Sequence, residues 1–191
     1  MENTRNMLLS LIQPGKTILF FDTETTGFSK SAKIIQFSGC IFRIEPNQKL
    51  KLMETFNYYM NPLEQLPEKI IELTGISDEM LLDMPDESIV APEIFEKIAC
   101  VDIWAAYNCG FDIRMMNQMA DRTGYFYESR PCIDVLLMAR ECISKEKSPN
   151  HNLQAITKYL YPDVNLRFHS AVDDVIATEM CFSKLIKFYN L

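Results

Sequence analysis

The sequence feature that most constrains the fold is an apolar run that ends in two acids. The segment KTILFFDTE, residues 16–24, places four large apolar residues directly before Asp22 and Glu24. A short, continuously apolar run bounded by polar residues and Gly27 is typical of a strand buried inside a sheet. Since residues i and i+2 of a strand project to the same side, both carboxylates are predicted to face one site.

The residues that enter this strand raise a different possibility. Gly15-Lys16-Thr17 matches the end of a phosphate-binding P-loop, but Ser10 stands where that motif needs its first glycine. A P-loop also opens a helix whose N-terminus faces the phosphate, whereas these residues enter a strand. We therefore reject the P-loop and predict a turn before the first strand.

The two acids need a physical explanation. Two like charges about 4 Å apart repel by roughly 4 kcal/mol at an effective dielectric constant near 20. A buried pair therefore needs a cation, a shared proton or an arginine. The alternative for Asp22 and Glu24 taken alone is a solvent-exposed pair at a strand end.

Two later segments carry further acids at junctions between elements, where functional sites tend to form. YNCGFD, residues 107–112, closes a second buried strand and opens a helix, so Asp112 lies near the same sheet edge if the two strands are neighbours. HSAVDD, residues 169–174, opens the last helix. Clustered carboxylates are the preferred ligands of Mg²⁺ or Mn²⁺ and not of zinc.

Such a cluster indicates phosphoryl chemistry. Two divalent ions about 4 Å apart activate a water and stabilise the attacking and leaving oxygens of an in-line displacement. The water must still lose a proton near neutral pH, and histidine is the side chain suited to accept it. His169 is therefore the candidate base; the alternative is a capping or surface histidine.

The pattern of apolar residues predicts a mixed α/β sheet with helices on both faces, in a single domain covering residues 1–191. We predict strands at 16–24, 33–45, 53–62, 101–108 and the start of 131–143. We predict helices in short pieces between 61 and 85, then at 88–100, 111–122, the rest of 131–143, 150–160 and 171–189. Asn150 or Asn152 is placed to cap the helix at 150–160.

Composition limits what the chain binds and where it works. The net charge of −7 gives no general electrostatic grip on nucleic acid, so a phosphodiester must be held locally, through a metal or a small basic patch. The six cysteines show no Cys-x-x-Cys spacing and are interpreted as reduced, mostly buried thiols of a cytoplasmic protein. No secretory signal or membrane span is expected.

Three segments together resemble a known family. FDTETTGF, AAYNCGFD and HSAVDD resemble, in order, the three motifs of the DEDDh family of 3′–5′ exonucleases, which includes the proofreading epsilon subunit of bacterial DNA polymerase III, ribonuclease T and oligoribonuclease. KIIQFSGCIF, YMNP, LTGISDEML and CIDVLLMAR are also similar to the family's text. The resemblance covers about residues 16–187.

The resemblance implies a ribonuclease H-like fold with a five-stranded mixed sheet whose first three strands are antiparallel. It implies that four carboxylates hold two Mg²⁺ or Mn²⁺ ions and that His169 is the general base. The family's last Asp lies five residues after its His, which selects Asp174 over Asp173. The implied metal ligands and catalytic acids are Asp22, Glu24, Asp112 and Asp174.

The resemblance also suggests how substrate is held. Thr25 and Phe28 would contact the terminal nucleotide, with Phe28 stacking on or wedging beside a base, while Asn108 and Phe111 line the scissile-phosphate side. Three positions depart from the common family pattern and leave substrate preference open, although none replaces a metal ligand. They are Tyr107 and Thr74, where His is frequent, and Gln36, where Glu is common.

The expected function is a two-metal 3′–5′ exonuclease that releases nucleoside 5′-monophosphates from single-stranded 3′ ends, with DNA favoured over RNA. One alternative is a ribonuclease or oligoribonuclease with the same chemistry, because the contact to the 2′-OH decides between the polymers. Another is a non-catalytic module that docks on a DNA polymerase. The acidic surface is consistent with a polymerase subunit that borrows affinity for nucleic acid from its partner.

Overall fold

A computed structural model describes residues 1–191 and has one central sheet of five strands in the order β3-β2-β1-β4-β5. The strands are β1 (Thr17–Thr25), β2 (Ile34–Ile44), β3 (Leu50–Tyr59), β4 (Ile103–Ala106) and β5 (Cys132–Asp134). The first three strands are antiparallel, while β4 runs parallel to β1 and β5 runs parallel to β4. The predicted five-stranded mixed sheet is confirmed.

Helices cover both faces of this sheet. They are α1 (Glu2–Leu11), α2 (Glu68–Thr74), α3 (Asp78–Leu81), α4 (Glu87–Ala99), α5 (Cys109–Thr123), α6 (Val135–Cys142), α7 (Leu153–Leu160) and α8 (Ala171–Leu185), with a 3₁₀ turn at Ile186–Tyr189. None of them combines the length and the apolar character that crossing a bilayer requires.

Strand β1 divides the core into two layers. Ile18 and Phe20 pack into a cluster with α1, α6 and α8, whereas Leu19 and Phe21 pack into a second cluster with α4 and α5. This alternation is what a period of two residues dictates for a strand covered on both faces. The prediction of a buried central strand is confirmed.

The turn before β1 and the cap of α7 have the expected local structure. Gly15 adopts φ +88°, a left-handed conformation that glycine accepts without strain, and its N–H donates to the Ile44 carbonyl at 2.8 Å. Of the two asparagines considered for the α7 cap, Asn152 takes the role, because its side chain accepts the Ala155 N–H at 2.8 Å. Residues 15–17 are thus a turn that enters a strand.

Three expectations need correction. Helix α1 was not predicted; Leu8 and the following Ile12 anchor it in the core. Strand β3 starts at Leu50, three residues before its predicted start, because an exposed edge strand has little apolar alternation to mark it. The cysteines are free, but only Cys181 is buried, and the others are half-buried or exposed.

Candidate active site

The predicted site residues converge on one cavity of about 220 Å³ at the C-terminal ends of β1 and β4. All nine of them line it: Asp22, Glu24, Thr25, Phe28, Asn108, Phe111, Asp112, His169 and Asp174. Five other lining residues were not assigned to the site from sequence: Thr23, Ile70, Leu73, Thr74 and Tyr107. Because β1 and β4 are parallel neighbours, the segments that follow them meet at the same sheet edge.

Three carboxylates form the centre of the cavity. One oxygen from each of Asp22, Glu24 and Asp174 lies within 4.8 Å of the others. The first two come from the same side of β1, as the spacing predicted, and the third comes from the first turn of α8. Asp173 does not line the cavity; its Oδ2 accepts the Arg167 N–H at 3.1 Å.

The fourth acid, Asp112, is fixed against β1 by two hydrogen bonds. Asn108 adopts a left-handed conformation (φ +67°) at the end of β4, so that α5 begins at once and Asp112 falls in its first turn. Asp112 is 2% exposed, and its Oδ1 accepts the Thr23 N–H at 3.1 Å and the Thr23 hydroxyl at 2.7 Å. Thr23 stands between the two acids in the motif, but its side chain alternates with theirs along the strand. For that reason it was not assigned to the site from the sequence.

His169 lies at the mouth of the cavity, in the loop before α8. Its backbone adopts φ +64°, which is strained for a residue with a β-carbon and costs on the order of 1–2 kcal/mol. Its N–H donates to the Asp174 Oδ2 at 3.1 Å, which ties the loop to the acids. The side chain is exposed and accessible to solvent and substrate.

Burial and mutual repulsion disfavour the charged forms of the acids. Burial is the main cause that raises the pKa of Glu24 to about 8, and the neighbouring Asp174 and Asp112 add to it. Burial likewise raises the pKa of Asp112 and that of Asp174 to about 7. The pKa of Asp22 is raised well above its usual range by burial and by three neighbouring acids, of which Asp112 is the strongest.

This donor set fits divalent cations. No Lys or Arg lines the cavity, so no protein cation neutralises the acids. The buried Oδ1 of Asp174 has no hydrogen-bond partner, although a buried polar atom without one is costly. Hard oxygen donors concentrated in this way are the ligand type of Mg²⁺ and Mn²⁺.

An aromatic wall flanks the acids. Phe28 is 73% exposed, as its position after the Thr-Thr-Gly turn suggested, and its ring centroid lies 5.6 Å from that of Phe111. Thr25 donates its hydroxyl hydrogen bond to the Gly27 carbonyl at 2.8 Å, which orders the turn below Phe28. An exposed large ring beside a polar cavity suits stacking against a planar group.

The three departures from the common family pattern have structural roles. The Tyr107 hydroxyl donates to the His151 carbonyl at 2.6 Å. The Thr74 hydroxyl donates to the Ile70 carbonyl at 2.9 Å, a hydrogen bond within its own helix, α2. Gln36 is buried; its Nε2 donates to Asn57 at 2.9 Å, and its Oε1 accepts the backbone N–H at the start of α8 at 3.4 Å.

Comparison with known proteins agrees with the fold and the motifs. The model of the exonuclease family RNase_T matches residues 19–180. The chain belongs to this exonuclease family, and the resemblance to DEDD-type 3′–5′ exonucleases is confirmed. The PolC-type DNA polymerase III of Oceanobacillus iheyensis is 32% identical over 172 residues, which cover 90% of this chain. The chain spans only 11% of the length of that relative.

Solved structures with the same fold include two exonucleases. E. coli exonuclease I in complex with a dA16 oligonucleotide has a TM-score of 0.72 and 20% identity, covering 90% of this chain and 41% of its own. Exonuclease X in complex with 5′-overhanging duplex DNA has a TM-score of 0.62 and 19% identity, covering 91% of each chain. These similarities confirm the predicted ribonuclease H-like fold.

Proposed function

We propose that this chain is a divalent-metal-dependent 3′–5′ exonuclease that releases nucleoside 5′-monophosphates from single-stranded DNA ends. The observation that carries the proposal is the convergence of oxygens from Asp22, Glu24 and Asp174 in one cavity beside Asp112 and His169. Family membership supports the reaction class, since the region that matches the exonuclease family, residues 19–180, contains all five of these residues.

The four acids would hold two Mg²⁺ or Mn²⁺ ions. When bound, such ions supply the positive charge that stabilises the attacking and leaving oxygens of an in-line phosphoryl displacement. The acids must then be ionised, although burial raises their pKa values. Thr23 keeps Asp112 oriented, and the first turn of α8 keeps Asp174 facing β1.

His169 would act as the general base. A ring nitrogen of its exposed side chain accepts the proton of the attacking water, and solvent later removes that proton. The backbone hydrogen bond to Asp174 holds the histidine at the cavity mouth without using the imidazole, which stays free for proton transfer. The leaving 3′-oxygen of the shortened strand takes up a proton from water.

The aromatic wall would bind the 3′-terminal nucleotide. Phe28 offers an exposed ring for a base, and Phe111 packs against that ring. Thr25 and Asn108 line the same cavity and would contact the sugar and phosphate. Base stacking on an aromatic side chain contributes about 1–3 kcal/mol per base and accepts any sequence. The oligonucleotide bound to E. coli exonuclease I supports DNA as the polymer.

We further infer that residues 1–191 act as one exonuclease domain beside a DNA polymerase. The support is the one continuous sheet and the PolC-type relatives, in which the matching region is a small part of a polymerase chain. The net charge of −7 agrees with a domain that depends on a partner for affinity.

The test is digestion of 5′-labelled single-stranded DNA, and of a matched RNA, with Mg²⁺ or Mn²⁺. We expect a 3′–5′ ladder from wild-type protein, no ladder from Asp22→Ala, and a reaction slowed about 10²–10⁴-fold in His169→Ala. Asp121→Ala, which removes an exposed acid from α5, serves as the matched control. Equal ladders from all four proteins would reject the assignment, and faster cleavage of the RNA would reject DNA as the preferred polymer.

A further inference from the structure

The proposed substrate is a polyanion, yet the cavity that would cleave it is lined by four acids and by no Lys or Arg. The phosphates upstream of the terminal nucleotide therefore need a cation from the surface around the cavity. Affinity for nucleic acid depends on Lys and Arg side chains that neutralise phosphates. An arginine already engaged with the protein is poorly placed for that task.

The arginines fall into two groups. Three have guanidinium groups that donate hydrogen bonds to protein acceptors: Arg5, Arg122 and Arg130. The other four make no hydrogen bond or salt bridge through the guanidinium: Arg43, Arg114, Arg140 and Arg167. Only a member of this second group that lies at the cavity can offer all its donors to a phosphate.

Arg114 extends the aromatic wall. Its Cζ lies 5.3 Å from the ring centroid of Phe111, which in turn packs against Phe28. Phe111 and Arg114 are three residues apart on α5 and so share one helix face. A guanidinium held over an aromatic ring is oriented in advance, while its N–H groups remain free for a phosphate oxygen.

The other unpaired arginines do not have this arrangement. Arg43 pairs with Thr17 at the opposite end of β1. Neither Arg114 nor Arg140 lines the cavity itself, but Arg114 contacts a ring that does, whereas Arg140 on α6 contacts no aromatic ring of the cavity. Arg167 does lie near the cavity, but its guanidinium packs on Gly75, where an added β-carbon would collide with it, and so it braces the loop that carries His169.

We propose that Arg114 is a phosphate-binding residue for the single-stranded DNA backbone upstream of the 3′-terminal nucleotide. The terminal base stacks on Phe28, and Phe111 packs against both Phe28 and Arg114. Arg114 contacts a phosphodiester of the incoming strand. The inference rests on the proposed exonuclease function and identifies Arg114 as a residue through which the protein binds the strand. It predicts a binding role for Arg114 and no part in the chemical step.

The test is the salt dependence of kcat/KM on a single-stranded 10-mer. The slope of log(kcat/KM) against log[salt] is negative, and each lost phosphate contact makes it less negative by about 0.7 for single strands. We expect Arg114→Gln to make the slope less negative by about this amount and to raise KM about tenfold, with the loss carried by KM and not by kcat. Arg114→Lys keeps the charge and should keep the wild-type slope.

The matched control is Arg43→Gln, which removes an equally unpaired arginine far from the cavity and should keep the wild-type slope and KM. Melting temperatures of both variants show whether folding is intact. If Arg114→Gln keeps the wild-type slope, or changes it only as much as Arg43→Gln does, the inference is wrong.

Failure of the proposed function gives a different result. Binding of a fluorescent oligonucleotide in the presence of Ca²⁺, followed by anisotropy, reports the same slope without turnover. A wild-type protein that binds the strand with a slope that depends on Arg114, but never cleaves it, would reject the exonuclease and keep the phosphate contact. A wild-type protein that neither binds nor cleaves would reject both.

Discussion

The two ends of strand β1 carry the same pair of residue types in the same geometry and yet differ in electrostatics. At the N-terminal end, Asp102 Oδ2 accepts the Thr17 N–H at 2.8 Å and the Thr17 hydroxyl at 2.9 Å. At the C-terminal end, Asp112 Oδ1 accepts the same two groups from Thr23. The hydrogen bonds lower the pKa of Asp102, whereas burial raises the pKa of Asp112 to about 7.

The surroundings explain the difference. Asp102 is exposed, and the nearby Lys16 and Arg130 favour its charged form. Asp112 is buried beside other acids, with no Lys or Arg in the cavity. The hydrogen bonds favour the charged carboxylate at both ends, but burial outweighs them at Asp112. The charged acids at the C-terminal end therefore lower the stability of the metal-free protein, as expected for the proposed cation site.

The largest contrast is expected between the two aspartates themselves. Asp112→Asn removes the charge of a proposed metal ligand. It should lower kcat/KM on single-stranded DNA about 10³-fold or more, because loss of a cation would cost several kcal/mol of transition-state stabilisation. Asp102→Asn changes the same residue type in the same hydrogen-bonding arrangement and should keep wild-type kinetics. Similar losses in both variants would show that the two ends do not differ in function.

The threonines give the next contrast. Thr23→Val keeps the shape of the side chain but removes the hydroxyl hydrogen bond to Asp112. We expect kcat/KM to fall about 10–100-fold, because groups that orient metal ligands have effects of this size. Thr17→Val should leave kcat/KM intact and cost about 1 kcal/mol of unfolding free energy. Steady-state kinetics and urea denaturation of the two variants measure both effects.

Stability of the metal-free protein should respond to pH with opposite sign at the two ends. The pKa of Glu24 is about 8 when folded and 4.5 ordinarily, so its cost is absent below pH 4.5 and grows as the pH rises to 8. In EDTA at pH 8.5, Glu24→Gln should exceed wild-type stability by several kcal/mol, because a pKa raised from 4.5 to about 8 destabilises the charged form by about 1.4 kcal/mol for each pKa unit. At pH 4.5 the two proteins should be nearly equal.

Asp102 supplies the opposite case. Its pKa is lowered, so its contribution is present above its unfolded pKa and is lost as the pH falls. Asp102→Asn should therefore be less stable than wild type at pH 8.5. Denaturation curves at both pH values test this, and a Glu24→Gln variant that is less stable at pH 8.5 would contradict the comparison.

The smallest effect concerns the loop that brings His169 to the acidic end. Gly75→Ala meets a left-handed φ of +74° and must displace the tip of the Arg167 side chain. If that guanidinium braces the loop, His169 moves with it, and we expect kcat to fall about fivefold, since small displacements of a proposed base are costly. Gly124→Ala has the same strain at φ +68° with no atom nearby, and is the matched control. Equal kinetics in the two variants would show that Arg167 does not hold the His169 loop in place.

Local sequence signals predicted the acidic end of β1 well. The run from Ile18 to Phe21 is apolar on both faces, and the spacing of Asp22 and Glu24 fixes their common side, so both predictions needed only the period of a strand. Predicting that Asp112 and Asp174 lie at the same site required knowing the order of the strands in the sheet. Only the resemblance of three motifs made it predictable.

Other features depend on tertiary contacts that no local pattern records. Helix α1 is mostly polar and is held by a few long-range contacts, including the Arg5 guanidinium to the Tyr189 carbonyl at 3.0 Å. The role of Thr23 requires knowing that Asp112 packs beside it. The contact of Arg114 with Phe111 is a surface feature of one helix face, and nothing in its spacing distinguishes it from an ordinary solvated arginine. The prediction of one domain over residues 1–191 stays a prediction.

The most direct measurement is anomalous diffraction from crystals of the wild-type protein soaked at about pH 8 with Mn²⁺ and a nucleoside 5′-monophosphate. Two manganese peaks bonded to Asp22, Glu24, Asp112 and Asp174, with the phosphate between them and no peak at Asp102, are the predicted result. Acids that remain without manganese at that pH, or a Mn²⁺ ion bound only at the opposite end of β1, would contradict the account.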